Sequence, residues 1–365
     1  MDTLPGLLLI LTALSGEFPA SFVCRLPGAS TYNGAVVKRL KYNGLIRSYY
    51  RDGLRGLRLT AAAKRMLLAD YPRWFQTVLT GNAETNLLKS EITRRLRLHR
   101  MAEVLTLMYN AGVLVFPWEK PTLFQPVRKQ TGLSTSQLAY YSSREVKDIG
   151  LQSNKIRGSR AVGILLTDGG IFVVYNTAAS EMKWEYKAEM RLKALLQMEL
   201  QTLRPFNTVP DAIVFGANMA QMEWLMGNGT ARSYFVLDGN FEHFHFLTSD
   251  RYGEILLQLL CTPSQKSTLD SILMENLSEP RPDWPIVNDG FDESGTPVLF
   301  GYTCDMPRIK RFDTALALHD QTGTLICFDF QEDAFRQICS ERVSLQCIDF
   351  SAFEGSVFYR TQETD

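Results

Sequence analysis

The stretch Ser30–Leu68, STYNGAVVKRLKYNGLIRSYYRDGLRGLRLTAAAKRMLL, leaves little freedom in how it folds. At about 100° per residue, Tyr32, Val36, Val37 and Leu40 fall on one side of a helix. Thr31, Gly34, Lys38, Lys41 and Tyr42 fall on the other. Ser30 or Thr31 is placed to cap its start, and Asn43-Gly44 to end it. LIRSYY and LRLT then bracket Asp52-Gly53, a hairpin signal, since a two-residue turn needs two left-handed residues in succession. Thr60 caps AAAKRMLL. The apolar helix face requires a core. The opposite face suits a phosphate-lined groove, and Gly34 lets the backbone come close.

Helix, short strand, arginine-tipped turn, LRLT and helix: this order resembles the winged helix-turn-helix of many DNA-binding proteins. On that reading Thr31 and Tyr42 contact base edges or sugar-phosphate. Lys38 and Lys41 reach guanine or phosphate. Arg51 and Arg55 at the turn meet phosphates or a narrow minor groove, and Arg47 and Arg58 on the strands clamp the backbone. The alternative is a packed helix-hairpin unit with solvated charges.

Charge supports the first reading. The 365-residue chain carries 39 Lys and Arg against 39 Asp and Glu, but residues 1–100 hold 16 against 6. The front is basic and the remainder equally acidic, as suits a chain whose front meets a polyanion; mutual attraction of the two parts is the other explanation. With 45% hydrophobic and 21% charged residues, the chain is an ordinary globular protein of two or three domains. Its cysteines, Cys24, Cys261, Cys304, Cys327, Cys339 and Cys347, have no zinc spacing and read as reduced, mostly buried thiols in a cytoplasm. Leu7–Leu14 reads as a first helix rather than a signal sequence, because Asp2 stands where a positive charge belongs. No stretch reads as a membrane span.

The expected fold class is multi-domain α/β. Residues 1–80 form the winged helix, with a short second helix over Pro19–Leu26. Residues 81–159 form a helical connector, its helix running Asn86–Asn110 with Leu88, Ile92 and Leu96 as the apolar stripe and Arg94, Arg95, Arg97 and Arg100 around it. His99 reads as a solvated neighbour of these arginines. An α/β domain follows over 160–265: strands AVGILLT and IFVVYNT joined at Asp168-Gly169-Gly170, a helix Ala179–Leu203, strand AIVFG, a helix, strands SYFVL and EHFHFLT, and helix EILLQLLC. Residues 266–295 read as an acidic, Pro-containing linker, and 296–365 as a C-terminal α/β segment with TALALHD and TLICFDF as a hairpin. No sequence repeat is visible.

Candidate chemistry is sparse. Glu145-Val146-Lys147 and Glu185-Tyr186-Lys187 match the Glu-x-Lys of restriction-type nucleases, and Asp168 precedes the second triplet. Asp168 falls in a turn and Glu185 in a helical pattern, so an inactive nuclease-like fold is favoured over an active one. His243 and His245 share a strand face, with Asp238 and Asp250 nearby, but no further ligand arrives at metal spacing. His319 stands alone. GxGxxG, Walker A, GxSxG and HExxH motifs are missing from the sequence. No catalytic residue, metal or cofactor is expected.

KRLKYNGLIRSYYRDGLRGLRLTAAAKRML and the later RLHRMAEVLTLMYNAG together resemble the plasmid replication-relaxation family, winged-helix proteins of plasmids and integrative conjugative elements. The similarity covers the first third of the chain, and more loosely SSREVKDIG through MKWEYKAEMRLKALL. It implies sequence-directed binding of double-stranded DNA in replication, mobilisation or their control, with a relaxase or other mobile-element protein as partner and a homodimer as a further expectation. The alternatives are a transcription regulator with a C-terminal sensor domain and, less favoured, a metal-dependent nuclease.

Overall fold

The computed structural model describes residues 3–87, 89–121, 138–146, 158–180, 184–201, 209–227, 237, 239 and 241–357. The chain divides into two compact units: Met1–Leu123 with Ala139–Ser142, and the described residues from Ser143 onward.

In the first unit, α1 (Leu4–Ser15) leads to β1 (Phe18–Pro19) and a 3-10 turn at Ala20–Arg25. Then come α2 (Ser30–Tyr42), β2 (Ile46–Arg51), β3 (Leu54–Leu59), α3 (Ala61–Asp70), α4 (Pro72–Leu79), α5 (Ile92–Asn110) and β4 (Ala139–Ser142). Every residue of α1 from Leu7 to Ser15 is buried, as its unbroken apolar sequence requires, and α5 packs along it. The sheet order is β1-β3-β2, antiparallel throughout. Arg51 pairs with Leu54 across a two-residue turn in which Asp52 and Gly53 have φ of 52° and 76°. These are the left-handed conformations that Asp-Gly adopts at low cost.

Several local expectations are corrected. The second helix is only a 3-10 turn. Neither Ser30 nor Thr31 caps α2; Ala29 is its N-cap, without a side-chain bond. Thr60 does cap α3, accepting from the Ala63 amide at 3.2 Å. Tyr32 points outward and Asn33 takes the inner position, where its Nδ2 donates to the carbonyls of Val23 at 3.2 Å and Leu26 at 2.8 Å. The buried stripe of α5 is Arg95, Leu98, His99 and Ala102, and Leu96 is exposed. Leu88 lies outside the described residues. The first unit therefore keeps α5 in its own core, where a boundary at 80 would detach it.

The second unit begins with α6 (Ser143–Val146), β5 (Gly163–Leu166), β6 (Ile171–Ala178), α7 (Tyr186–Gln201), β7 (Asp211–Gly216), α8 (Ala220–Gly227), β8 (Phe244–Thr248) and α9 (Arg251–Cys261). It continues with α10 (Pro263–Met274), β9 (Gly290–Phe291), β10 (Pro297–Phe300), α11 (Met306–Leu318), β11 (Gly323–Phe328), α12 (Glu332–Ile338), β12 (Val343–Ile348) and α13 (Phe350–Val357). β5 pairs antiparallel with β6, which opens a parallel run β6-β7-β8. The second sheet repeats this plan: β9 pairs antiparallel with β10, which opens the parallel run β10-β11-β12. A helix follows each strand of both parallel runs. The unit thus contains one topology twice, without a repeat in sequence. The two halves join where the Phe246 amide donates to the Cys304 carbonyl at 3.0 Å and His245 lies opposite Asp305.

α7 starts at Tyr186 rather than Ala179, and most of SYFVL lies outside the described residues. TALALHD is no strand. Its first five residues finish α11, which Met306 and Pro307 open, and the Phe312–Leu316 side of that helix is buried. The segment expected as a linker begins inside α10, and Ile286 and Phe291 further along are buried, Ile286 with 1% exposure. Its acidic residues are surface residues of a packed segment. Among the described residues no helix is long and apolar enough to cross a membrane. Ile286→Ala should cost about 2–4 kcal/mol in denaturant unfolding of the full chain; a change below about 0.5 kcal/mol would return the segment to linker status.

Candidate nucleic-acid interface

The outer face of α2 and the β2–β3 hairpin each present an exposed, basic surface. Thr31, Lys38, Lys41, Tyr42, Arg47, Arg51 and Arg55 are all exposed, together with Arg39, which the helical projection did not single out. Gly34 is half-buried, and a Cβ built there would meet nothing within 4 Å, so open space lies above the helix at that point. Three tyrosines stand among the cations, Tyr32, Tyr50 and Tyr42, the last 92% exposed. The Arg55 guanidinium lies 5.7 Å from the centre of the Tyr50 ring. Arg51 has its neighbour Asp52 at 3.4 Å, an exposed pair of little energetic weight. Burial and the nearby charge of Arg47 both lower the pKa of Lys64 on α3, whose Nζ donates to the Asn86 carbonyl at 2.7 Å.

Arg58 does not belong to that surface. It is 3% exposed, and its Nε donates to Glu17 Oε2 at 2.7 Å. Gly56, Leu57, Arg58 and Leu59 are all buried because β3 is the central strand and both of its faces are covered there. Glu17, at the end of α1, receives a second guanidinium from Arg95, whose Nη2 donates to Oε1 at 2.6 Å, while His99 Nε2 lies 2.9 Å from the same oxygen. Arg95 is fully buried and His99 nearly so, which corrects the expectation that His99 is a solvated neighbour of the arginines. α5 is turned by the ion cluster: a buried carboxylate needs donors, and Arg95 and His99, one turn apart, face it together. Arg94 and Arg97 remain outside, near Glu91 at 3.0 Å and Glu84 at 3.8 Å. The sequence did contain a signal. Glu17 is a lone acid in the apolar run LLLILTALSGEFPASF, where it must either break the core or find cations.

Burial pushes the Glu17 carboxyl up, but the hydrogen bonds from His99, Arg95 and Arg58 and the charge of Arg58 outweigh that and hold it down to about 2. Gly56 makes room for it: a Cβ there would stand 2.0 Å from Glu17 Oε1.

The second unit has a separate titratable cluster. Asp305 stands at the N-cap position of α11 without a side-chain cap bond, and its carboxylate accepts instead from His243 Nδ1 at 2.6 Å and from the Phe244 amide at 3.2 Å. Hydrogen bonding to Asp305 raises the His243 pKa, and burial raises Asp211 nearby to about 6. The His245 ring lies 6.4 Å from that of His243, with Nδ1 3.1 Å from the Thr303 carbonyl, and burial lowers its pKa. Among the described residues no three His, Cys, Asp or Glu side chains are grouped to hold a metal ion. Nor do the Glu-x-Lys triplets converge. Asp168 stands in the turn before β6, and Glu185 stands just before α7 beside Trp184, whose ring packs 5.1 Å from that of Tyr175. Glu145 sits in α6, and Lys147 and Asp238 lie outside the described residues. Cys261, Cys304 and Cys327 are buried as expected, Cys339 is half-buried, and Cys24 and Cys347 are exposed; all six are free.

No family model, no curated protein and no solved structure matches the chain.

Replacing Glu17 by Gln leaves two buried guanidiniums without their counter-charge and should cost about 3–5 kcal/mol. In the unsubstituted chain the folded carboxyl titrates below its ordinary value of 4.5. Its stabilising contribution is therefore complete above pH 4.5 and is lost as pH falls toward about 2. Acid denaturation followed on both chains should show that this loss is confined to the one carrying Glu17; identical acid limbs would remove the carboxylate from its assigned place.

Proposed function

We propose that the first unit is a winged helix-turn-helix that binds double-stranded DNA, with α2 as the recognition helix and the β2–β3 hairpin as the wing. The observation that carries this reading is the set of exposed cations Lys38, Arg39 and Lys41 on α2 and Arg47, Arg51 and Arg55 on the hairpin, with exposed tyrosines among them. The element order supports it: helix, short strand, helical turn, helix, hairpin, with the first strand pairing on the hairpin's inner strand. α2 fits a major groove by its N-terminal Thr31 and the Lys38–Tyr42 side, and the wing carries Arg51 and Arg55 to phosphates or the minor groove.

The resemblance of KRLKYNGLIRSYYRDGLRGLRLTAAAKRML to the plasmid replication-relaxation family extends this reading to a process. The protein acts as a DNA-binding accessory or regulatory protein of a plasmid or conjugative element, in the cytoplasm, with the second unit serving contacts to a relaxase, to other mobile-element proteins or to a second copy. Arg58 is not part of the interface.

If five to seven phosphates are neutralised, log K for a mixed-sequence duplex should fall with log salt at a slope of roughly −4 to −6. Replacing Arg51 and Arg55 together by Ala should make the slope shallower by about one or two units and leave the melting temperature unchanged. If instead the basic face serves only to attract the acidic part of the chain, the double variant will melt earlier and bind DNA as before. That outcome would sink the assignment.

A further inference from the structure

The outer part of the hairpin stands clear of the sheet's third strand. β1 pairs only with Leu57 and Gly56, so Leu54 and Arg55 have no strand beside them on the inner edge of β3. A two-stranded ribbon carrying cations at its tip is weakly held by its own ladder. Arg95 reaches this part from beneath. Its Nη1 donates to the Arg51 carbonyl at 3.0 Å, and its Nη2 to the carbonyls of Leu54 at 2.9 Å and Tyr49 at 3.3 Å. Arg51 and Leu54 are the two residues that flank the Asp52-Gly53 turn. The other side of the same guanidinium is fixed on Glu17, by Nε at 3.1 Å and Nη2 at 2.6 Å, and the Tyr49 ring lies 4.6 Å from its centre.

We infer that Arg95 is a positioning residue for DNA recognition: it sets the pose of the Arg51–Arg55 tip relative to α2 without touching DNA itself. This rests on the reading of the hairpin as a wing. A rigid fork with five donors suits the task, because one side chain must serve both the Glu17 carboxylate and three carbonyls lying in different directions. A lysine there keeps the charge opposite Glu17 but cannot span the turn. The tip would then swing, and its arginines would meet phosphates only part of the time.

The test uses the full chain and a duplex of mixed sequence. Arg95→Lys should lower affinity about tenfold and make the salt slope shallower by about one to two units, reproducing the Arg51/Arg55 double variant with both tip arginines still present. Hydrogen exchange should rise over residues 49–55 and stay unchanged over α1. A folded Arg95→Lys protein with the original affinity, slope and hairpin exchange would overturn the positioning role and leave DNA binding intact. Failure of the unsubstituted chain to bind the duplex would overturn the wing reading itself, and this inference with it. The unsubstituted chain also gives a measurement that does not depend on how the variant folds: the Arg51 and Leu54 peptides should exchange as slowly as those of β3 inside the sheet, and fast exchange there would show that Arg95 holds nothing.

Discussion

One buried carboxylate dictates the arrangement of the first unit. Glu17 is fully inaccessible and cannot be left ionised without compensation, since taking a carboxylate out of water costs several kcal/mol. Two guanidiniums and an imidazole supply more donors than a single carboxylate can accept. The surplus goes to backbone and ring. Arg58 donates to the Lys89 carbonyl, Arg95 to three hairpin carbonyls, and the Tyr49 face lies 3.7 Å from Arg58 and 4.6 Å from Arg95. The cluster is satisfied only if the end of α1, the hairpin, the Lys89 loop and α5 are all in place. Its energetic yield over an apolar core is small, as for most buried ion pairs; what it supplies is an orientation for four segments at once.

The same residue type therefore does opposite work within a few positions. Arg55 and Arg58 are three apart on β3, and one is exposed to solvent while the other is buried against Glu17. On α5, Arg94 and Arg95 separate in the same way. A count of basic residues overstates the surface charge of this unit, because two of its arginines are consumed inside. Of the remaining cations, Lys38, Arg39, Lys41, Arg47, Arg51 and Arg55 lie exposed on α2 and the hairpin, and the others are spread over α3, α4, α5 and the loops between.

Much of the architecture was legible because periodicity and turn chemistry are local. Asp52-Gly53, the Thr60 cap, the apolar α1 and the strands β5, β6, β7 and β8 follow from patterns a few residues long. What stayed hidden was long-range. Arg58 and Arg95 find Glu17 across 41 and 78 residues, and nothing near either arginine announces it. TALALHD reads as a strand from its own apolar residues, whereas the helix that opens at Met306-Pro307 runs on through its first five residues. The 266–295 segment was misjudged on composition: its prolines and acids mark its surface, while single apolar residues such as Ile286 anchor it. On the candidate interface, the exposed cations of α2 follow from helix phase, and Arg58 does not follow from strand alternation because β3 is covered on both faces.

The doubled topology of the second unit has a kinetic meaning. Within each half, parallel neighbours pair across at most the 39 residues from Phe172 to Asp211. The seam is different: His243 and Asp305 meet across 62 residues, and Phe246 and Cys304 meet beside them. Closing that longer loop adds only a modest entropic cost, yet it cannot be repaid until both partners have formed edges to offer. Two nuclei that mature separately and dock late are the expected order of events. It would appear as higher φ-values at Phe215, in the middle of one half, than at Phe244 on the seam.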